Sequence, residues 1–258
     1  MTPDMPPLFL PPHLAQAVWS GHAFGAGLAP VLSSGHALLD AELPGGGWPC
    51  QALTEVLQAQ AGLAEWRLLS PALARVVARG GHVLLLGAPW RPQVAALSRE
   101  GLPADRLIHI DVHTEAERLW ATEQALKAGC LSAVLSWLPQ ARAEALRRLQ
   151  ACATQHAGPV FVFRPERAAQ EASPAPLRVH LGLGPCPHPL LLRLLKRRGP
   201  LLEHAIELPH WPQGLAALLP ASPGARPPAV APGHPRPATH EEPQHHAALD
   251  RAPAWLGA

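Results

Sequence analysis

Gly35-His36-Ala37-Leu38-Leu39-Asp40, Leu43-Pro44-Gly45-Gly46-Gly47-Trp48-Pro49 and Gln51-Ala52-Leu53-Thr54-Glu55-Val56 lead into Leu57-Gln58-Ala59-Gln60-Ala61-Gly62-Leu63-Ala64-Glu65-Trp66, and this stretch decides the fold. Gln51–Val56 is a β-prone run. Leu63, Trp66, Leu69, Leu73, Val76 and Val77 recur near a 3.6-residue period, which predicts a helix over Gly62–Arg79. A strand, a glycine-containing loop and a helix N-terminus make the layout of a phosphate cradle, because free amides and the helix dipole both favour an anion there. A working nucleotide cradle reads G-x-x-x-x-G-K-[ST], with the lysine on the phosphates and the hydroxyl on Mg²⁺. Here Gly62 is followed by Leu63 and Ala64. The frame is present and its chemistry is missing.

Outward from this stretch, strand-like and helix-like segments alternate. Ser70-Pro71 interrupts the first helix and suggests either a kink or a fresh start with Ser70 as N-cap. His82–Leu86 is a continuous apolar run, as in a parallel strand buried on both faces. A helix over Pro92–Arg99 and a strand over Arg106–Val112 follow. Thr114-x-x-Glu117 is a capping box opening a helix that Gly129 terminates. Strands over Leu131–Leu138 and Pro159–Phe163 flank an amphipathic helix over Gln140–His156. This succession predicts an α/β domain with a mostly parallel sheet covered by helices on both faces. Leu177–Leu183 and Pro189–Lys196, joined by Gly184-Pro185-Cys186-Pro187-His188, add a C-terminal β-hairpin, and Ile206–Leu208 a short last strand.

Composition bounds the rest. The hydrophobic content of 48% supports a packed core, and no apolar run approaches the roughly 18–20 residues of a membrane span. A net charge of +2 is too small to argue for nucleic acid by itself. Only two of the 21 Lys and Arg residues are lysines, Lys127 and Lys196, and neither has the spacing of a cradle lysine. Cys50, Cys130, Cys152 and Cys186 form no C-x-x-C pair, which fits free thiols in a reducing cytoplasm. The expected organisation is a disordered segment 1–12, a helical or linker segment 13–34, a core domain 35–219 and a Pro-rich disordered tail 220–258.

Several blocks carry a resemblance. Gly35–Asp40, Leu43–Pro49, Leu53-Thr54-Glu55, Glu65–Leu69, Trp120-Ala-Thr-Glu-Gln-Ala-Leu126, Leu146–Gln150, Phe163-Arg164-Pro165 and Ser173–Arg178 occur in family order across roughly residues 13–209. By these the chain resembles the ImuA family, RecA/SulA-like accessory proteins of translesion DNA synthesis. The resemblance implies a RecA-like core without catalytic residues and with no cofactor. Ala88-Pro89-Trp90 stand where a RecA-type ATPase has its catalytic Glu, and Ser136 where it has the magnesium-binding Asp. It further implies an adaptor for a mutasome in the SOS response: an ImuB-like Y-family polymerase homologue, and through it the error-prone C-family polymerase and the sliding clamp. RecA is a further expected partner, and DNA contact would be weak or indirect. Two alternatives are a SulA-like cell-division inhibitor binding FtsZ, and an atypical nucleotide-binding ATPase recruiting Lys196 or Arg67.

Outside the cradle, Arg193, Lys196, Arg197 and Arg198 form a basic hairpin end, a candidate for DNA or partner contact against the reading of a solvated strand end. Strand alternation places Lys196 and Arg198 on one side with Arg197 opposite. Trp255-Leu256 is a candidate docking peptide in the tail. His82, His109 and His113 lack metal-ligand spacing, and His240–His246 reads as low complexity. Ser33, Ser34 and Ser70 read as caps rather than nucleophiles, and Arg142, Arg147 and Arg148 as the polar flank of a helix. No catalytic or metal residue is expected.

Overall fold

The computed structural model describes residues 30–185, 188–209 and 211. The expected segment 1–12, most of 13–34, the tail 220–258 and the Trp255-Leu256 peptide lie outside the described residues.

Strand β1 (Val31–Leu32), helix α1 (Ala37–Glu42) and strand β2 (Trp48–Pro49) precede the main sheet, and β1 pairs antiparallel with β2. The core then runs β3 (Leu53–Gln58), α2 (Glu65–Ala78), β4 (Val83–Leu86), α3 (Val94–Arg99), β5 (Leu107–Ile110), α4 (Glu115–Ala128), β6 (Ala133–Trp137), α5 (Ala143–Ala153) and β7 (Val160–Pro165). It finishes with β8 (Leu177–Leu183), β9 (Leu190–Lys196) and β10 (Ile206–Leu208). The strand order is β10-β9-β8-β3-β7-β6-β4-β5. Strands β8 to β5 are parallel, and the β8–β9 hairpin and β10 add antiparallel pairs at one edge. This is the expected RecA-like architecture.

Side-chain alternation divides each central strand between two cores. Val56, Val83, Leu85, Ala133, Leu135, Phe161 and Phe163 face α1, α2 and α3. Leu53, Leu84, Leu86, Val134, Val160 and Val162 face α4 and α5. Both faces are covered, so β4 reads as an unbroken apolar run and every residue of β6 is buried, Ser136 included. Trp48 is fully buried and meets Phe161 edge-on at 5.3 Å, which locks the β1–β2 ribbon to the first core.

Local chemistry sets the boundaries. Gln51 adopts φ 57°, so β3 starts at Leu53 rather than Gln51. Helix α4 has the expected capping box, with Thr114 accepting from Glu117 N and Gly129 closing it in the left-handed conformation. The reading of Ser70-Pro71 as an interruption is overturned. Pro71 lies inside α2, and Ser70 Oγ is buried with no hydrogen-bond partner among the described residues rather than capping a new helix. Proline removes one intrahelical bond, but Leu68, Leu69, Ala72 and Leu73 around it are completely buried, and their packing holds the helix through it. Pro71 also presses on the preceding segment: a Cβ at Gly35, which has φ +84°, would lie 2.4 Å from Pro71 Cβ. Ser33 and Ser34 bond locally, Ser33 Oγ to Asp40 Oδ2 at 2.5 Å and Ser34 Oγ to the backbone of His36.

A charged network crosses the middle of the sheet. Glu55 on β3 accepts from Arg164 Nη1 on β7 at 2.6 Å and from Arg178 Nε on β8 at 2.5 Å. Arg164 also donates to Ala141 O and Glu171 Oε2, and Arg178 to Ala168 O and Ala169 O. The Glu55 and Arg164 side chains are 1% and 2% exposed. Removing one member leaves a buried charge without its partner. Glu55→Ala is therefore expected to cost about 3–5 kcal/mol of unfolding free energy, read from urea denaturation. Replacing Glu55 and Arg178 together should cost less than the two single losses added.

His156, just beyond α5, is completely buried with neither ring nitrogen hydrogen-bonded among the described residues, and burial lowers its pKa. The folded state therefore resists protonation that the unfolded chain accepts near pH ~6.5. The neutral imidazole's full stability is present above that pH and is lost as pH falls towards the depressed folded value. Urea midpoints compared at neutral and mildly acidic pH should drop for the wild type, and drop less for His156→Leu.

Candidate functional site

The loop between β3 and α2 has the geometry of an anion cradle, and an anion already fills it. Glu65, the first residue of α2, folds its own carboxylate back over the loop. Glu65 Oε1 accepts from Gly62 N at 2.6 Å, Gln58 Nε2 at 2.6 Å and Trp137 Nε1 at 3.1 Å, while Oε2 accepts from Ala64 N at 3.1 Å. Glu65 is 1% exposed. Backbone amides that would otherwise bind a ligand oxygen thus serve an internal carboxylate.

The surrounding residues fit this closed state. Gly62 has φ +85°, and a Cβ there would lie 2.4 Å from Trp90 Cδ1. Both the backbone angle and the contact demand glycine. Trp137, at the end of β6, donates to Glu65 and stacks on Phe163 at 4.5 Å between centroids. Ser136, one residue earlier, points to the other face and exchanges a 2.6 Å hydrogen bond with Thr122 on α4. Leu63 belongs to the loop and is 52% exposed, not part of the buried helix stripe as the periodicity suggested. The amides used by Glu65 keep this loop out of the helix.

Beside the cradle, Trp66, Arg67 and Ser70 of α2 face Pro89, Trp90 and Leu97 across a groove of about 310 Å³. Trp90 is 72% exposed at its rim. Arg67 does not turn into the cradle: its Nη2 donates to His188 O at 3.0 Å, and its guanidinium lies 3.9 Å above the Trp211 ring. Lys127 pairs with Glu123 at 2.6 Å in the last turn of α4, and Lys196 Nζ donates to Ser173 O at 2.9 Å. Both lysines thus have their partners away from the loop.

The basic hairpin end is divided by the fold. Strand β9 stops at Lys196, so Arg197 and Arg198 lie beyond it. Arg197 is spent internally, bonding Pro200 O, Glu42 O and Glu42 Oε2 and so tying this end to α1. Arg193 and Arg198 are exposed. A β-bulge between Arg178 and Val179 shifts the register here, which simple strand alternation does not anticipate. Among the described residues no group of three or more His, Cys, Asp or Glu is placed to hold a metal. Arg148, on α5, reaches Glu123 at 3.8 Å, and Arg142 sits at the helix N-cap.

Sequence reading missed Glu65 and the Glu55 network as sites. Both acids stand inside blocks singled out for resemblance, Glu55 within the fully buried strand β3 and Glu65 between Ala64 and Trp66 at the start of α2. A carboxylate at such a position was the available signal. The blocks Leu53-Thr54-Glu55, Phe163-Arg164-Pro165 and Ser173–Arg178 supply the buried network and are thereby accounted for as scaffold.

A mixed α/β domain with a mostly parallel eight-stranded sheet, whose β3–α2 loop amides are bound by its own Glu65 carboxylate, is the class that fold and site define. Residues 53–158 match the family model described as "Cell division inhibitor SulA". The chain is similar to the cell division inhibitor SulA of Photorhabdus laumondii subsp. laumondii, 35% identical over 85 residues, or 33% of this chain and 48% of the relative. It is also similar to SulA of Serratia marcescens, 29% identical over 101 residues (39% and 60%), and of Edwardsiella piscicida, 29% over 113 residues (44% and 67%). The chain thus spans about half to two thirds of the length of the curated relatives it matches. These matches correct the expected function. An adaptor for an ImuB and C-family polymerase mutasome, with the sliding clamp and RecA as partners, is overturned, because the relatives are cell division inhibitors.

Closure by Glu65 has a direct consequence. Glu65→Ala should lower the thermal midpoint, because the loop amides and Trp137 Nε1 lose a charged acceptor worth about 1.5–3 kcal/mol per hydrogen bond. Inorganic phosphate should then stabilise Glu65→Ala more than the wild type, as a ligand that binds only the folded state must. Equal phosphate effects on the two proteins would show that the loop is not an anion cradle.

Proposed function

We propose that this chain is a cell-division inhibitor of the SulA type, binding the division protein FtsZ and acting by occupancy rather than turnover. The observation that carries this reading is the coincidence of the SulA match with the closed cradle: residues 53–158 begin at β3 and take in Gly62, Glu65 and Trp137. An inhibitor that works by covering a partner's surface needs a rigid scaffold and exposed anchors, not a nucleotide. The Glu65 carboxylate stands where phosphate would be held, Leu63 and Ala64 replace the lysine and hydroxyl, and Ser136 is bonded to Thr122. This supports a degenerate ATPase core. Trp90 and Trp120, 72% and 66% exposed, are side chains of the type that anchor protein interfaces. Expression in the SOS response is the setting this reading implies.

The test is GTP-driven FtsZ polymerisation followed by light scattering with increasing amounts of the full chain. Inhibition saturating near one inhibitor per FtsZ is expected, with no ATP hydrolysis by the chain itself. Undiminished polymerisation at excess protein would remove the reading. Saturable ATP binding with turnover would instead restore the nucleotide-dependent alternative.

A further inference from the structure

A second crevice opens on the other side of the Glu65 loop, at the carboxyl ends of the parallel strands β3, β4, β6 and β7. It has a volume of about 250 Å³ and is lined by Gln58, Gly87, Arg118, Trp137, Phe163 and Arg164, with prolines at its rim. Ligands of open parallel sheets gather outside these strand ends, and Arg118 and Arg164 both line this crevice.

Arg118 is positioned by α4. Its Nε donates to Val112 O at 3.2 Å and its Nη1 reaches Trp137 O at 3.4 Å, while its Nη2 has no partner among the described residues. Gly87 has φ +65°, and a Cβ there would lie 2.9 Å from Arg118 Nε, so the strand end is shaped to let this side chain pass. Arg164 holds Glu55, Glu171 and Ala141 O through its two terminal nitrogens, yet its Nε is buried and unpaired among the described residues. Gln58 gives its amide nitrogen to Glu65 and leaves Oε1 buried and, among the described residues, unpaired. Buried polar atoms normally have partners, and those that lack one call for an explanation. Two such atoms fall on one crevice, one a cationic donor and the other a neutral acceptor. Glu55 and Glu171 occupy the terminal nitrogens of Arg164, Glu65 takes Gln58 Nε2 and Trp137 Nε1, and Glu115 accepts the backbone N–H of Gln140 at 3.1 Å.

We propose that this crevice binds a small molecule bearing a carboxylate or phosphate group, with the oxyanion on Arg118 in front of Arg164 and the apolar body against Trp137 and Phe163. The chemistry follows from the donors. A guanidinium with an open Nη2 favours a planar or tetrahedral oxyanion, and the aromatic walls favour a flat or aliphatic body. Gln58 Oε1 selects a ligand that also carries a hydroxyl or amine. The neighbouring cradle does not compete, because Glu65 has closed it. This site is independent of the FtsZ reading and stands or falls without it.

The test uses the full chain, ¹⁵N-labelled and titrated separately with inorganic phosphate and with benzoate, and with chloride at matched ionic strength as control. Saturable shifts of the Arg164 Nε–H and Trp137 Nε1–H resonances are expected with at least one probe and not with chloride. The tighter probe identifies the oxyanion. Arg118→Gln, which leaves the Glu55 network intact, should weaken binding by about tenfold or more. The absence of saturable shifts with both probes, or binding undiminished in Arg118→Gln, would overturn the proposal. If the variant does not fold, the location of the wild-type shifts decides alone, and shifts confined to surface residues away from the crevice reject it.

Discussion

The carboxylate of Glu55 sits between two arginines from the strands on either side of it, and the rest of the sheet is built outward from that contact. Strand β3 lies within the six-strand parallel part of the sheet, between β7 and β8, and Glu55 ties it to Arg164 on one side and Arg178 on the other. Three ionised groups are buried together at large desolvation cost, offset only because nearly every donor also finds a carbonyl or a second carboxylate. That completeness fixes strand register, since a slip of one residue would point each of them to the opposite face.

A second internal carboxylate decides what the scaffold can do. Glu65 takes the hydrogen bonds of the Gly62 and Ala64 amides and of Gln58, so these donors are satisfied within the chain. The Trp137 contact extends this closure to the end of β6. Binding energy is then available only at surfaces. The exposed indoles on the β4–α3 loop and on α4 suit partner contact, and the guanidinium groups lining the crevice at the strand ends suit a small anion.

Much of the fold was legible from local signals. An unbroken apolar run marked β4, the capping box and Gly129 bounded α4, and the loss of helical period after β7 announced the hairpin. The failures share a cause. Ser70-Pro71 read as a break because propensity counts the missing hydrogen bond and not the complete burial of the turns around it. Leu63 read as helix because its spacing fits, although the amides beside it are turned to Glu65. The basic hairpin end read as one patch, yet Arg197 is committed to Glu42, more than a hundred residues away in the chain.

By itself, then, the order of residues determined a mostly parallel α/β sheet with an antiparallel edge and a cradle lacking its lysine and hydroxyl. Periodicity and turn chemistry act over a few residues, and those features need nothing more. Only the tertiary structure decided why the cradle is silent. Glu65, Gln58, Trp137 and Gly62 come from two distant parts of the chain, and no spacing rule relates an indole on β6 to a carboxylate on α2. The same holds for Glu55 with Arg164 and Arg178, and for the crevice that unites Arg118 and Arg164. Charges buried together are chosen by proximity in space, and proximity in space is what the folded sheet creates.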